Sequence, residues 1–324
     1  MALFTVEEIE AARALVYTQM DPTPQIAWPL LGERVGTEVV VKHENHAPTG
    51  AFKVRGAITF IDWLRREQPG ARGIVTATRG NHGQAQARAA RAAGLEAKVY
   101  VPEGNSVEKN AAMRAYGADL KVFGRDFDTA REEAMRVAAA GDHFPVPPFH
   151  AELVRGVATY GLELFSAHPD LDTVYVPIGC GSGISGTIAA RDALGLGTEV
   201  VGVVSTEAAG AMLSVKAGRL VETGSADTFA DGMAVRVPVQ AAFDIYSRGA
   251  ARIVAVSEAE IARAIRLYFE CTHNVAEGAG AAALAALMQE RDRMAGRKVA
   301  VVLSGGNIDT ARFMEVLRGG VPAA

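Results

Sequence analysis

The chain has 324 residues, 49% hydrophobic and 22% charged, which is enough apolar material for a full core in one large domain or two smaller ones. Its formal net charge is -4 and its basic residues are scattered among acidic ones, so no basic stripe exists to track a nucleic-acid backbone. No apolar run is long enough to span a bilayer, and the opening MALFTVEEIEAARAL carries acids where an export signal carries basic residues, so a cytoplasmic protein is expected.

In chain order, Thr5 and Glu8 form a T-x-x-E capping box ahead of an apolar repeat, which predicts a helix starting at Thr5. Short Val/Ile-rich runs follow at 38–44, 72–78, 97–102, 173–179, 199–205 and 298–306, alternating with Ala-rich stretches. That alternation predicts an α/β fold of mostly parallel sheets flanked by helices. The segments 80–94 and 106–117 combine good helix formers with terminal glycines. The proline-rich stretch GDHFPVPPFHAE, 141–152, breaks the rhythm and marks the best internal boundary. Cys180 and Cys271 are too few for a disulfide framework and have no zinc-type spacing, so no structural metal is expected.

In a parallel α/β sheet, ligands gather at the carboxyl ends of strands. Three loops there are rich in glycine or polar residues. TVYVPIGCGSGISGTIAARDAL runs from a strand through Gly179, Gly181, Gly183 and Gly186 into a helix, a pattern whose converging N–H groups suit a phosphate. Gly181, Gly183 and Gly186 also spell G-x-G-x-x-G, and Glu207 lies about 20 residues further on, so a nicotinamide-dependent oxidoreductase competes for this loop. TATRGNHGQAQA, 76–87, ends a strand in a polar turn. Its helix start suits a substrate carboxylate, and Asn81 suits either N-capping or a hydrogen bond to a ring substituent. VVLSGGNID, 301–309, places Ser304 at a strand end.

Lys53 lies in HENHAPTGAFKVRGAITF, between Gly50 and Gly56 and beside Phe52. If a helix begins near Thr49, Lys53 falls in its first turn, where the helix dipole favours the neutral amine that a Schiff-base nucleophile must be.

Taken together, PTGAFKVRGA, TRGNHGQ, PIGCGSGISG and LSGGN resemble, in that order, the motifs of the fold type II pyridoxal phosphate (PLP) enzymes, the group of threonine and serine dehydratases and serine racemase. The resemblance covers nearly the whole chain. It implies that Lys53 is the Schiff-base lysine, that Phe52 flanks the cofactor ring, and that Asn81 contacts the ring hydroxyl. It further implies that the backbone over Gly179, Cys180, Gly181, Ser182 and Gly183 binds the cofactor phosphate and that Ser304 meets the pyridine nitrogen. Thr78, Arg79, Gly80 and His82 would then surround the substrate. A small domain, 48–149, would be inserted into a larger one made of 1–47 and 150–324, in a homodimer. The implied reaction is elimination of water from a β-hydroxy amino acid, giving a 2-oxo acid and ammonia.

Departures from the family pattern sharpen these expectations. Racemases carry a serine before the glycine that here is Gly80, and this chain has Arg79, a poor proton shuttle, so little racemase activity is expected. Arg79 either clamps a second substrate carboxylate, as in 3-hydroxyaspartate, or turns away to pair with a surface acid. Positions that hold metal-binding acids in some relatives fall on Val204 and Gly210, so no metal is expected there. Only a short stretch follows SGGNID, so the regulatory domain that several threonine dehydratases append is not expected. VPEGNSVEKNAAMRAYGADL and TRGNHG resemble the hydroxyectoine-utilisation branch. Glu277, in THNVAEGAGAAALAAL, either faces the cofactor pocket or serves a helix N-terminus.

Overall fold

The computed structural model describes residues 2–125 and 127–324. Its larger sheet contains β1 (Gln25–Ala27), β2 (Glu38–His43), β7 (Thr173–Pro177), β8 (Glu199–Ser205), β9 (Arg252–Val256) and β10 (Lys298–Leu303). The smaller contains β3 (Gly73–Ala77), β4 (Glu96–Val101), β5 (Asp119–Val122) and β6 (His143–Pro145). The larger runs β1-β2-β10-β7-β8-β9 and is parallel except where β1 pairs antiparallel with β2. The smaller runs β5-β4-β3-β6 and is parallel throughout. The expected α/β architecture is present, and no helix among the described residues is long and apolar enough to cross a membrane.

Strand periodicity decides which core each side chain enters. On β2, Val39 and Val41 enter a core under the helices Glu258–Thr272 and Gly278–Gln289. Val40, between them, enters the opposite core with Val174 and Val176, under Ala151–Ala167 and Ser182–Ala193. The helices Lys53–Glu67 and Asn81–Ala92 pack Ile58, Phe60, Ala85 and Ala89 with Ile74 and Ala97 of the smaller sheet. The first helix is Val6–Val16, capped at Thr5 with both hydrogen bonds of the capping box formed.

Two sequence expectations need correction. The proline-rich stretch 141–152 does not break the sheet pattern outright, because β6 lies inside it. Proline is tolerated there since β6 is an edge strand. The helix bearing Lys53 begins at Lys53 itself, four residues later than expected, because 49–52 pairs with the loop after β10 instead of coiling.

Charge is buried at the foot of that helix. Arg55, fully enclosed, donates to Glu44 at 2.8 Å and to Glu163 at 2.6 Å, and Lys42 donates to the same Glu163. Thr23, Thr159 and Tyr17 complete the network, so each charge meets a partner and further hydrogen bonds. Burial raises the Glu163 carboxyl, but Arg55 and Lys42 outweigh it and hold the group below the usual carboxylate range. The network ties β2, the Lys53 helix and the helix Ala151–Ala167 into one frame.

Candidate active site

Three loops at the carboxyl ends of β3, β7 and β10 converge on Lys53. Residues 49–52 are zipped to the loop after β10. The Asn307 amide donates to the Thr49 carbonyl at 2.8 Å, Gly306 N–H to Gly50 at 2.9 Å, and Phe52 N–H to Ser304 at 3.1 Å. Ala51 and Gly305 form a bridge between them. Ser304 is buried directly after β10. This zipper delivers Lys53 to the site as the first residue of its helix.

The Lys53 amine has no hydrogen bond or ion pair among the described residues; its neighbour is the Phe52 ring, 4.7 Å from ammonium to centroid. Burial lowers its pKa, against smaller opposing effects of Cys180 and Glu277. The Phe52 ring is fixed edge-on against Tyr160 at 6.1 Å. Tyr160 in turn donates to the Gly183 carbonyl at 2.9 Å, so Lys53, Phe52 and the glycine loop share one support.

That loop follows β7 and opens the helix Ser182–Ala193. Gly181 takes a left-handed conformation, φ 97°, and a Cβ there would sit 2.5 Å from Ala242. A Cβ at Gly179 would meet the Gly232 carbonyl at 2.1 Å. At Gly183 the space is open by comparison, the nearest atom being Phe52 at 3.5 Å. The first intrahelical acceptance is Ser185 N–H to Gly181, so the N–H groups of Gly181, Ser182, Gly183 and Ile184 have no backbone acceptor and form an anion cradle. Cys180 lies half-buried in the loop, its thiol pushed up by burial with Lys53 acting against it.

In the loop after β3, Asn81 is the first helical residue and does not cap. Thr78 takes that part, its hydroxyl accepting from Gly80 N–H at 3.0 Å and Gly83 N–H at 3.3 Å, because its position two residues before the cap brings the oxygen under the turn. The N–H groups of Asn81 and His82 stay without a protein acceptor, suited to a carboxylate. The His82 ring nitrogen Nε2 is buried without a partner, and burial together with Lys53 lowers its pKa to about 3, so the ring is neutral. Arg79 is exposed and makes no ion pair among the described residues, so the surface pairing considered for it is not formed.

Glu277 faces this site. Although it occupies the N-cap position of Gly278–Gln289, its side chain makes no cap bond; it accepts from the Asn81 amide and from Lys109 at 3.4 Å. Lys109 also donates to Asp231 at 2.9 Å, and neither residue lies in a sequence pattern that separates it from a surface charge. Glu207 lies exposed beyond β8, and Val204 and Gly210 offer no carboxylate.

The fit to PLP rests on these observations: an unpartnered amine with a lowered pKa, an aromatic ring beside it, and a helix start with four free N–H groups where glycines leave no room for side chains.

Residues 16–305 match the model of the family described as "Pyridoxal-phosphate dependent enzyme". The L-threonine ammonia-lyase of Thermotoga maritima is 35% identical over 98% of this chain and 79% of its own. The L-threo-3-hydroxyaspartate ammonia-lyase of Saccharomyces cerevisiae is 29% identical, covering 98% of each. Among solved structures, the processed threonine deaminase isoform 2 of Solanum lycopersicum superposes with a TM-score of 0.90 at 28% identity, over 97% of this chain and 87% of that one.

Proposed function

The chain belongs to the pyridoxal-phosphate dependent enzymes, and on that premise we propose that it eliminates water from a β-hydroxy amino acid of the L-threonine or L-serine type, yielding a 2-oxo acid and ammonia. The observation that carries the reading is the convergence of the free Lys53 amine, the anion cradle of Gly181–Ile184 and the open helix start at Asn81 and His82.

When bound, PLP supplies the electron sink that makes the α-proton of an amino acid labile. Lys53 would hold the cofactor, and its amine, once free, would take the α-proton; burial, which disfavours its charged form, favours it as a base. The N–H groups of Gly181–Ile184 would hold the phosphate, with Gly179 and Cys180 shaping the turn before them. Phe52 and Asn81 would flank the ring, and Ser304 would meet its nitrogen. Thr78 and Gly80 set the loop whose Asn81 and His82 N–H groups orient the substrate carboxylate. The buried Nε2 of His82 adds a neutral hydrogen-bonding group beside it. The proposal includes residues 48–149 as the inserted small domain, a homodimer, and a cytoplasmic site of action.

The nicotinamide reading has no support among the relatives, and the G-x-G-x-x-G belongs to the anion cradle already described.

Arg79 favours a second reading of the substrate. An exposed guanidinium with no ion pair, next to Gly80, suits a second carboxylate such as that of 3-hydroxyaspartate, the substrate in the name of the yeast relative. A panel of L-threonine, L-serine and threo-3-hydroxyaspartate, with the 2-oxo acid trapped as its hydrazone, tests both readings. Product from the first two supports the main one. A preference for the third that vanishes in Arg79→Ala supports the second, and no 2-oxo acid from any of them overturns both.

A further inference from the structure

Lys109 sits in the first turn of the helix Val107–Ala115 and is buried, although no step above uses it. Its stem crosses Gly80, where a Cβ would come within 2.6 Å of Lys109 Cδ, so the missing side chain makes the crossing possible. Its ammonium donates to Asp231 at 2.9 Å and to Glu277 at 3.4 Å. The other oxygen of Glu277 accepts from the Asn81 amide nitrogen, and a Cβ at Gly305 would strike that oxygen at 2.4 Å. Asn81 Oδ1 then accepts from Asn307 Nδ2 at 2.8 Å, and the same nitrogen donates to the Thr49 carbonyl at 2.8 Å.

Both ends of this chain are acceptors only. The Thr49 carbonyl cannot donate, and neither can the Glu277 carboxylate while ionised, so every amide between them has one allowed orientation. Asn307 anchors the oxygen end of the Asn81 amide and Glu277 its nitrogen end, so losing the Glu277 carboxylate leaves that nitrogen without its acceptor.

We propose that Lys109 is a positioning residue: its ion pair holds the Glu277 carboxylate against the Asn81 amide nitrogen and so keeps the Asn81 side chain in place. Burial raises the Glu277 pKa on balance, and Lys109 is the first of the groups that oppose the rise. The inference deepens the function proposed above and rests on it, since a fixed Asn81 matters only if a cofactor ring lies against it. It also gives a reason for a lysine on a helix next to the smaller sheet to reach across to residues 231 and 277: the ion pair joins the two sides of the cleft at the Asn81 amide.

The test is the near-ultraviolet and visible spectrum of PLP-loaded protein, together with PLP affinity and kcat against KM, for the wild type, Lys109→Met, Lys109→Arg, Glu277→Gln and the Lys109→Met/Glu277→Gln pair. Lys109→Met is expected to change the ratio of the two cofactor absorption bands and to lower kcat about tenfold or more, with a smaller change in KM. Arginine should restore most of both. Glu277→Gln should give the same spectral change, and the pair no more than either alone, because both act through one amide. If Lys109→Met does not fold, Glu277→Gln carries the spectral test alone, since it removes the charge and keeps the shape. A wild-type band ratio and kcat in folded Lys109→Met, or in Glu277→Gln if only that variant folds, would overturn the inference and leave the proposed function standing. A wild-type protein that takes up no PLP would overturn both.

Discussion

The ammonium of Lys53 stands 4.7 Å from the centroid of the Phe52 ring, with no acid bonded to it. An amine placed against an aromatic face and buried loses hydration that a surface lysine keeps, so its charged form is disfavoured. At any pH below the ordinary lysine range of about 10.4, a larger share of Lys53 than of surface lysines is therefore neutral and nucleophilic. Limited labelling of cofactor-free protein with an amine-directed reagent near neutral pH should modify Lys53 ahead of exposed Lys121, as read by peptide mass spectrometry. Equal rates at the two sites would contradict the lowered pKa.

The glycines of the loop after β7 differ in what they tolerate. Gly181→Ala combines a left-handed backbone with a 2.5 Å approach to Ala242, and should cost about 1–3 kcal/mol along with much of the PLP affinity. Gly183→Ala meets only ordinary contact distances and should stay within about 0.5 kcal/mol of the wild type. Urea midpoints of the two variants measure the contrast, and equal losses would show that the crowding at Gly181 does not govern this loop.

The buried ion network makes a stronger demand. Arg55→Leu leaves Glu44 and Glu163 facing each other in the core with only Lys42 for compensation, which should destabilise the fold by about 3–5 kcal/mol. A loss under about 1 kcal/mol in denaturant unfolding would mean that the network relaxes by admitting water.

His43 adds a pH dependence. Its Nε2 accepts from Trp28 at 2.9 Å, and its Nδ1 faces Asn45 at 3.3 Å. Burial first, then His46 and Lys42, bring its pKa down to about 4. In the unfolded chain the ring titrates near 6.5, so as pH falls from about 6.5 toward 4 the unfolded state binds a proton that the folded state refuses, and stability is lost. His43 alone should remove about 2 kcal/mol between pH 7 and 5. His43→Gln should flatten that part of the pH profile, and an unchanged slope would place the effect elsewhere.

The larger strands could be read from the sequence because β2, β3, β4, β7, β8 and β10 are continuous apolar runs with buried faces. β1, β5 and β6 could not. They are three or four residues long and lie at sheet edges, and β1 and β5 expose much of their surface, so they carry little hydrophobic signal. β9, also at an edge, is half-exposed along most of its length. The site divides in the same way. Lys53, Asn81, the glycine loop and Ser304 sit in local patterns that a parallel sheet explains. The contacts of Lys109 with Asp231 and Glu277, and of Glu277 with Asn81, join loops far apart in the chain, and nothing in VEKNAAMRA separates Lys109 from a solvated charge until the fold buries it. Lys42 is a charge within the Val-rich run of β2, where burial demands a partner, and Glu163 is that partner.

The central claim is that Lys53 alone carries the cofactor. Protein loaded with PLP and reduced with borohydride should lose its visible colour and yield one modified peptide, spanning Lys53, while Lys53→Ala should stay colourless and release no 2-oxo acid from L-threonine. A reduced adduct on another lysine, or undiminished 2-oxo acid from Lys53→Ala, would contradict the account.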